Sequence, residues 1–200
     1  THELSEKDNF AFGISISGNA LALALIMAGV VTGGGNPSLF DEAINVRLYA
    51  VVGVVLLKIG TIINDKAIFH AFSLKTQVKA ENMAAGTVQA ANFIALGVIL
   101  NSAIKWVESD SWFGLVAVVI IFIMAQLLML AVTRIRSTLY RRTHGGHDWQ
   151  EALEMGNCAL AVRYSGHIIS TALAVSAATG LVTYLQNAIW ISALYWLGTA

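Results

Sequence analysis

Long uncharged apolar runs alternate with short polar clusters along the chain. From Phe10 to Thr32 there is no Asp, Glu, Lys or Arg, and a helix needs about 20 mostly apolar residues to cross the hydrocarbon core of a bilayer. The pattern predicts spans at roughly 10–32, 43–63, 82–104, 112–133 and 156–178. A sixth candidate, 181–199, contains Gln186 and Asn187, and whether it is a complete span stays open. Turn signals separate the runs: Gly33–Asn36 followed by Pro37, and Ser109–Ser111 with Trp106 and Trp112 on either side as interfacial anchors. The fold class expected is all-α, one polytopic membrane bundle of five to six transmembrane helices over residues 1–200.

The runs repeat. Three segments align without gaps: DNFAFGISISGNALALA from Asp8, ENMAAGTVQAANFIALG from Glu81 and GNCALAVRYSGHIISTA from Gly156. Each has an Asn as its second residue (Asn9, Asn82, Asn157), and these Asn positions lie 73 and 75 residues apart, the length of a two-helix hairpin with its loop. Repeats of approximately 8–80, 81–155 and 156–200 follow, the third possessing an uncertain second helix. At about 100° per residue, positions 2, 9, 13 and 20 after each Asn share one helix face. They are Ala11, Gly18, Ala22 and Gly29 in the first copy, Ala84, Ala91, Ala95 and Ser102 in the second, and Ala159, Gly166, Ser170 and Ala177 in the third. Small residues let helix backbones approach closely in lipid, so this stripe, with Gly18, Ala91 and Gly166 at its middle, is expected to pack against protein. The three Asn residues suit the N-cap of their helices, with a ligand role as the alternative.

Composition agrees with the membrane assignment: 56% of residues are hydrophobic, 12% are charged, and the mean hydropathy is +0.68. Formal net charge is zero, which gives no footprint for nucleic acid. The leader Thr1–Asp8 holds Glu3, Glu6 and Asp8 against Lys7, unlike a signal peptide, so the first run is read as a retained span. Lys66, Lys75 and Lys79 follow span two, and Arg134, Arg136, Arg141 and Arg142 follow span four. The positive-inside rule then puts those loops and the N-terminus in the cytoplasm. Headgroup binding by the same charges is compatible with that placement, and the lipid bilayer is the first partner expected.

Polar groups inside the spans are the candidate chemistry. Position 10 is Asn19, Asn92 and His167 in the three copies; Gln89 lies beside Asn92, and Arg163 is one turn before His167. Ionisable groups in a membrane helix cost about 2.5–3.5 kcal/mol on the insertion scale and face an interior or an aqueous path. Asn19, Gln89, Asn92, Arg163 and His167 therefore read either as interhelical hydrogen bonds with a snorkelling arginine, or as the lining of a solute or proton path. Lys58 reads as snorkelling or as paired with Asp65, and Gln126 as an interhelical hydrogen bond.

No enzyme, metal or cofactor is expected. His144, His147 and Asp148 form a short HxxHD cluster that suits a solvated loop better than a metal site. Haem held by two His residues needs both inside the bundle, whereas His70 lies at a membrane edge. The single cysteine, Cys158, excludes an internal disulfide and reads as a small packing residue. No nucleophile triad, P-loop or dinucleotide fingerprint is present.

Asn-x-Ala at a helix start, then Gly some seven residues on, in tandem hairpins, resembles the YjfL-like bacterial inner-membrane proteins, a family with a domain of unknown function. The departures are three copies where shorter members have two, His167 in place of Asn19 and Asn92, and Ala91 in place of Gly. The resemblance implies an inner-membrane protein associated with envelope stress and supplies no catalytic residue. The leading expectation is a non-enzymatic small-ion or solute channel or transporter. The alternative is a structural or assembly component of an envelope-stress complex, joined to itself or other membrane proteins through small-residue faces.

Overall fold

The structure is a computed structural model that describes residues 2–33, 38–69, 73–107, 112–185 and 188–200, and of Trp112 the backbone alone. The turn at 34–37, His70, Ser109–Ser111, the Trp112 side chain, Gln186 and Asn187 lie outside the described residues. Among the described residues there are nine α-helices and no strand. They are α1 (His2–Ser5), α2 (Phe10–Thr32), α3 (Leu39–Ile63, continued by a π-type turn Asn64–Ile68), α4 (Leu74–Lys79), α5 (Met83–Trp106), α6 (Trp112–Thr143), α7 (Trp149–Glu154), α8 (Cys158–Leu181) and α9 (Ile189–Thr199). Helices α2, α3, α5, α6 and α8 are long and apolar enough to cross a membrane, the architecture of an integral membrane protein.

The three long helices that open on Asn begin in the same way. Asn9 accepts from the Phe12 N–H at 2.9 Å, Asn82 from Ala85 at 3.1 Å and Asn157 from Leu160 at 3.0 Å, satisfying donors that the first helical turn leaves unpaired. The residue before each Asn has positive φ: Asp8 at 48°, Glu81 at 63° and Gly156 at 83°. At the ends of α4 and α7 that left-handed residue closes a Schellman turn. Glu81 and Gly156 donate to Val78 O and Leu153 O, and Asn82 and Asn157 to Gln77 O and Ala152 O. Each Asn thus stops a short helix with its backbone and starts a long one with its side chain.

Helices α2, α5 and α8 lie side by side with α5, the most buried of the spans, in the middle. At the α2–α5 contact the backbones touch. A Cβ on Gly18 would lie 2.5 Å from Ala90 Cα, on Gly86 2.5 Å from Ala11 O, and on Gly97 2.7 Å from Ala22 Cα. Gly29 faces Asn101 in the same way. The partners rise together in number, so the helices are parallel. Hydrogen bonds follow the same register: Ser15 Oγ donates to Gln89 Oε1 at 2.7 Å, and Asn101 Nδ2 to Leu25 O at 2.6 Å. Helix α3 runs the other way, Gly53 meeting Ile26 and Ile104 while Gly60 meets Leu96 and Phe122.

Several expectations change. Helix α6 continues to Thr143, because 115–144 holds neither Gly nor Pro. Arg134, Arg136, Arg141 and Arg142 therefore stand on a helix that outlasts its apolar stretch, and Gly145 and Gly146, both at positive φ, end the turn beyond it. Helix α9 has 11 described residues, too few to cross a bilayer alone. The stripe expected to pack in the third copy is open: Ala159, Gly166, Ser170 and Ala177 are all exposed, and nothing lies within 4 Å of a Cβ on Gly166. Gly18 and Ala91 are buried; among the described residues no helix stands against the same face of α8. Cys158 is exposed for the same reason, at the open start of α8.

Candidate functional site

Two clefts open near the Asn-capped ends of the long helices, and they take up four of the five polar residues singled out in the spans. The first, about 500 Å³, lies between α2, α3, α4 and α5. Ser15 and Asn19 contribute from α2, Lys58 and Thr61 from α3, Lys75 and Lys79 from α4, and Gln89 and Phe93 from α5. The Ser15–Gln89 hydrogen bond ties two of its walls together. Most of the remaining lining is apolar, including Leu23, Val54 and Leu57.

Helix α4 stands at this cleft because two groups hold it. Asp65 accepts from the Leu74 N–H at 2.9 Å and from Ser73 Oγ at 3.2 Å. Asn9 Nδ2 donates to Val78 O at 2.9 Å. Asp65 is therefore committed to the start of α4 and does not pair with Lys58. Among the described residues no carboxylate forms an ion pair with Lys58, Lys75 or Lys79, so the cleft carries three cations above an apolar floor.

The second cleft, about 570 Å³, lies between α6, α7 and α8. Arg136 and Tyr140 line it from α6, His144 from the turn that follows α6, Trp149 from α7, and Arg163, Tyr164 and His167 from α8. Tyr140 and His144 stack at 4.0 Å, and Trp149 and Tyr164 at 4.5 Å. Phe69 meets both of the latter rings edge-on, and Trp149 Nε1 donates to Ser137 Oγ at 3.0 Å. Stacked and edge-on aromatics of this kind contribute about 0.5–1.5 kcal/mol per pair beyond their buried area. Asn82 Nδ2 donates to Leu153 O and Glu154 O, holding α7 as Asn9 holds α4.

The five residues are thus not brought to one place. Asn19 and Gln89 share the first cleft, Arg163 and His167 share the second, and Asn92 lines neither. Asn92 is buried, and among the described residues neither its Nδ2 nor its Oδ1 has a hydrogen-bond partner; the same is true of the side-chain amide of Gln126. A buried polar group without a partner costs about 1–3 kcal/mol. In the HxxHD cluster, Asp148 caps α7 through the Gln150 N–H at 3.0 Å and lies 3.6 Å from Arg141, while His144 Nδ1 is 3.0 Å from Tyr140 O.

The sequence reading missed α4, α7 and the aromatic group of Phe69, Trp149 and Tyr164. The signal was Leu74 with Val78 and Trp149 with Leu153, each pair four residues apart and buried, flanked by polar residues that pass for a loop.

Compared with known proteins, the chain is matched by one family model, that of the Domain of Unknown Function (DUF350), over residues 1–104, 38–179 and 110–200. No curated protein matches, and no solved structure does.

Proposed function

The chain belongs to the DUF350 family, and from that membership we propose a non-enzymatic protein of the bacterial inner membrane, assembled from three tandem hairpin units. In this reading it is a structural or assembly component of an envelope-stress membrane complex. Its basic clefts hold anionic lipid headgroups at the cytoplasmic face. The unit structure draws support from the overlapping family matches and from the shared Asn cap and positive φ of the three long helices. Placing it with the YjfL-like proteins rests on the Asn-x-Ala…Gly pattern. The cytoplasmic assignment of the capped ends rests on the lysines and arginines gathered there.

The observation that carries the functional reading is the first cleft. Lys58, Lys75 and Lys79 have no carboxylate partner among the described residues, and they stand over an apolar lining at the end of the spans. That combination suits an anionic amphiphile: phosphate against ammonium groups, acyl chain against Leu23, Val54 and Leu57. Lipids that co-purify from a mixed membrane test it. Anionic phospholipid should be enriched over the bulk bilayer, and Lys75→Gln with Lys79→Gln should remove the enrichment. A bound fraction that mirrors the bulk composition in the parent protein contradicts the reading.

A second reading, a small-ion or solute path, is favoured by Asn92 and Gln126, whose buried amides have no partner among the described residues and suit water inside the bundle. His167→Asn retains a hydrogen-bonding side chain and removes a titrating one. Under this reading proteoliposome flux exceeds that of empty liposomes and loses pH dependence in the variant. Absence of flux from folded parent protein rules against it.

A further inference from the structure

The packing between units uses two complementary faces. Positions 2, 9, 13 and 20 of one long helix meet positions 4, 8, 15 and 19 of the next. In the first junction Ala11, Gly18, Ala22 and Gly29 meet Gly86, Ala90, Gly97 and Asn101. In the second, Ala84, Ala91 and Ala95 of α5 are buried, as are Ala161, Ser165 and Ala172 of α8. Each face is also left open once. The leading face is open on α8, at Ala159, Gly166, Ser170 and Ala177. The receiving face is open on α2, where Ser17, Ala24 and Ala28 are exposed and, among the described residues, a Cβ on Gly13 would meet Leu4 alone, at 3.6 Å.

We propose that a second copy of this chain continues the row head to tail, its α2 seated on the open face of α8. The proposal rests on the three-unit reading above. An interface of two different faces closes into a ring or grows as a filament, depending on its rotation.

Two further observations point to the same occupant. Asn9 and Asn82 use Nδ2 to hold the short helix before the next unit, through Val78 O and through Leu153 O. Asn157 makes the same cap but is exposed, and its Nδ2 has no partner among the described residues. In register, the group it lacks is Ser5 O at the end of α1 of the next chain. The second observation is charge. At the first junction Lys75 and Lys79 of α4 stand beside Ser15 and Asn19, positions 6 and 10. The residues 73 positions before those lysines are His2 and Glu6, and positions 6 and 10 of the third unit are Arg163 and His167. A junction between chains therefore sets Glu6, exposed just beyond α1 and paired with His2, against Arg163 and His167 of α8. Such complementarity fixes partner and register more than affinity.

Cross-linking in native membranes tests this on the full chain in a Cys158→Ala background. One chain carries Gly166→Cys and a co-expressed chain carries Ser17→Cys, the register of the Gly18–Ala90 contact. Mild oxidation should yield a dimer of the 21.4 kDa chain, and a chain carrying both substitutions should yield a ladder. Glu6→Lys should lower the linked fraction severalfold, and adding Arg163→Glu should restore it. Within one chain, Ser15→Cys with Gln89→Cys reports separately on the three-unit packing. If that internal bond forms and the Gly166–Ser17 bond does not, head-to-tail assembly is wrong while the unit reading stands. Efficient dimers from Gly166→Cys alone would mean a symmetric pair and also overturn it; loss of the internal bond overturns the unit reading itself.

Discussion

Gly18→Ala adds one methyl group at a place where the neighbouring backbone leaves no room. The new Cβ would stand 2.5 Å from Ala90 Cα, 2.6 Å from Ala90 Cβ and 2.8 Å from Ala90 O. None of these is the far end of a flexible side chain, so α2 must withdraw from α5 by about 1 Å to restore ordinary contact, and a gap of that size forfeits a quarter to a half of each dispersion contact. The withdrawal also loosens Ala11 against Gly86 and Ala22 against Gly97. Overpacking costs about 1–3 kcal/mol, and with three backbone contacts affected the upper end applies. Replacing Gly by Ala in a helix returns about 1 kcal/mol, leaving a net loss of about 2 kcal/mol, equivalent to about 4–8 °C in Tm at this chain length. Gly166→Ala is the internal control: nothing lies within 4 Å, and only the helix-propensity gain of up to about 1 kcal/mol applies. Thermal melts of the dispersed monomer in detergent, followed by near-ultraviolet circular dichroism, measure both. Equal melting of Gly18→Ala and the parent, or an equal drop for the two variants, would refute the backbone-contact geometry.

Other outcomes follow from the caps, the turns and the topology. Asn82→Ala should lose the helix cap, about 1 kcal/mol, and the hydrogen bonds to α7, about 1 kcal/mol more. Asn157→Ala should lose the cap alone in the monomer, and a larger loss there than at Asn82 contradicts the bridging role. Glu81→Gly should stabilise by about 1 kcal/mol, since a left-handed backbone costs a side-chain-bearing residue roughly 1–2 kcal/mol; a lowered Tm contradicts the turn geometry. In a Cys158→Ala background, Ser73→Cys and Ser137→Cys should resist an impermeant thiol reagent in intact cells and react after lysis. Labelling in intact cells reverses the proposed orientation.

Local features were the legible ones. Asn9, Asn82 and Asn157 cap their helices through atoms three residues away, so the sequence alone could place them. The stripe through Gly18 and Ala91 follows from helical period and residue size. Features set by a distant neighbour were not legible. Gly166 has the same residue type and the same helix position as Gly18, yet it is open, because no described helix stands against it. The residue ten positions after each capping Asn is polar, but Asn19 looks into one cleft, His167 into another, and Asn92 into neither. Lys58 and Asp65 are suitably spaced for a pair along one helix, yet Asp65 is taken by Ser73 and Leu74 across a turn. Arg134 to Arg142 resembled a loop because apolar character ends where a membrane would end, whereas the helix ends only where glycine permits.

The central claim is that the Asn-capped helices stand parallel and in register, with α5 in the middle. Paired cysteines in the Cys158→Ala background, oxidised in native membranes, test it most directly. Ser15 Oγ and Gln89 Oε1 are 2.7 Å apart near one end of the pair, and Asn101 Nδ2 meets Leu25 O near the other. Ser15→Cys with Gln89→Cys, and separately Leu25→Cys with Asn101→Cys, should form disulfides within one chain, while Ser15→Cys with Asn101→Cys should not. Bond formation in that last pair, with failure of the first two, would mean that α2 and α5 run antiparallel and would contradict the account.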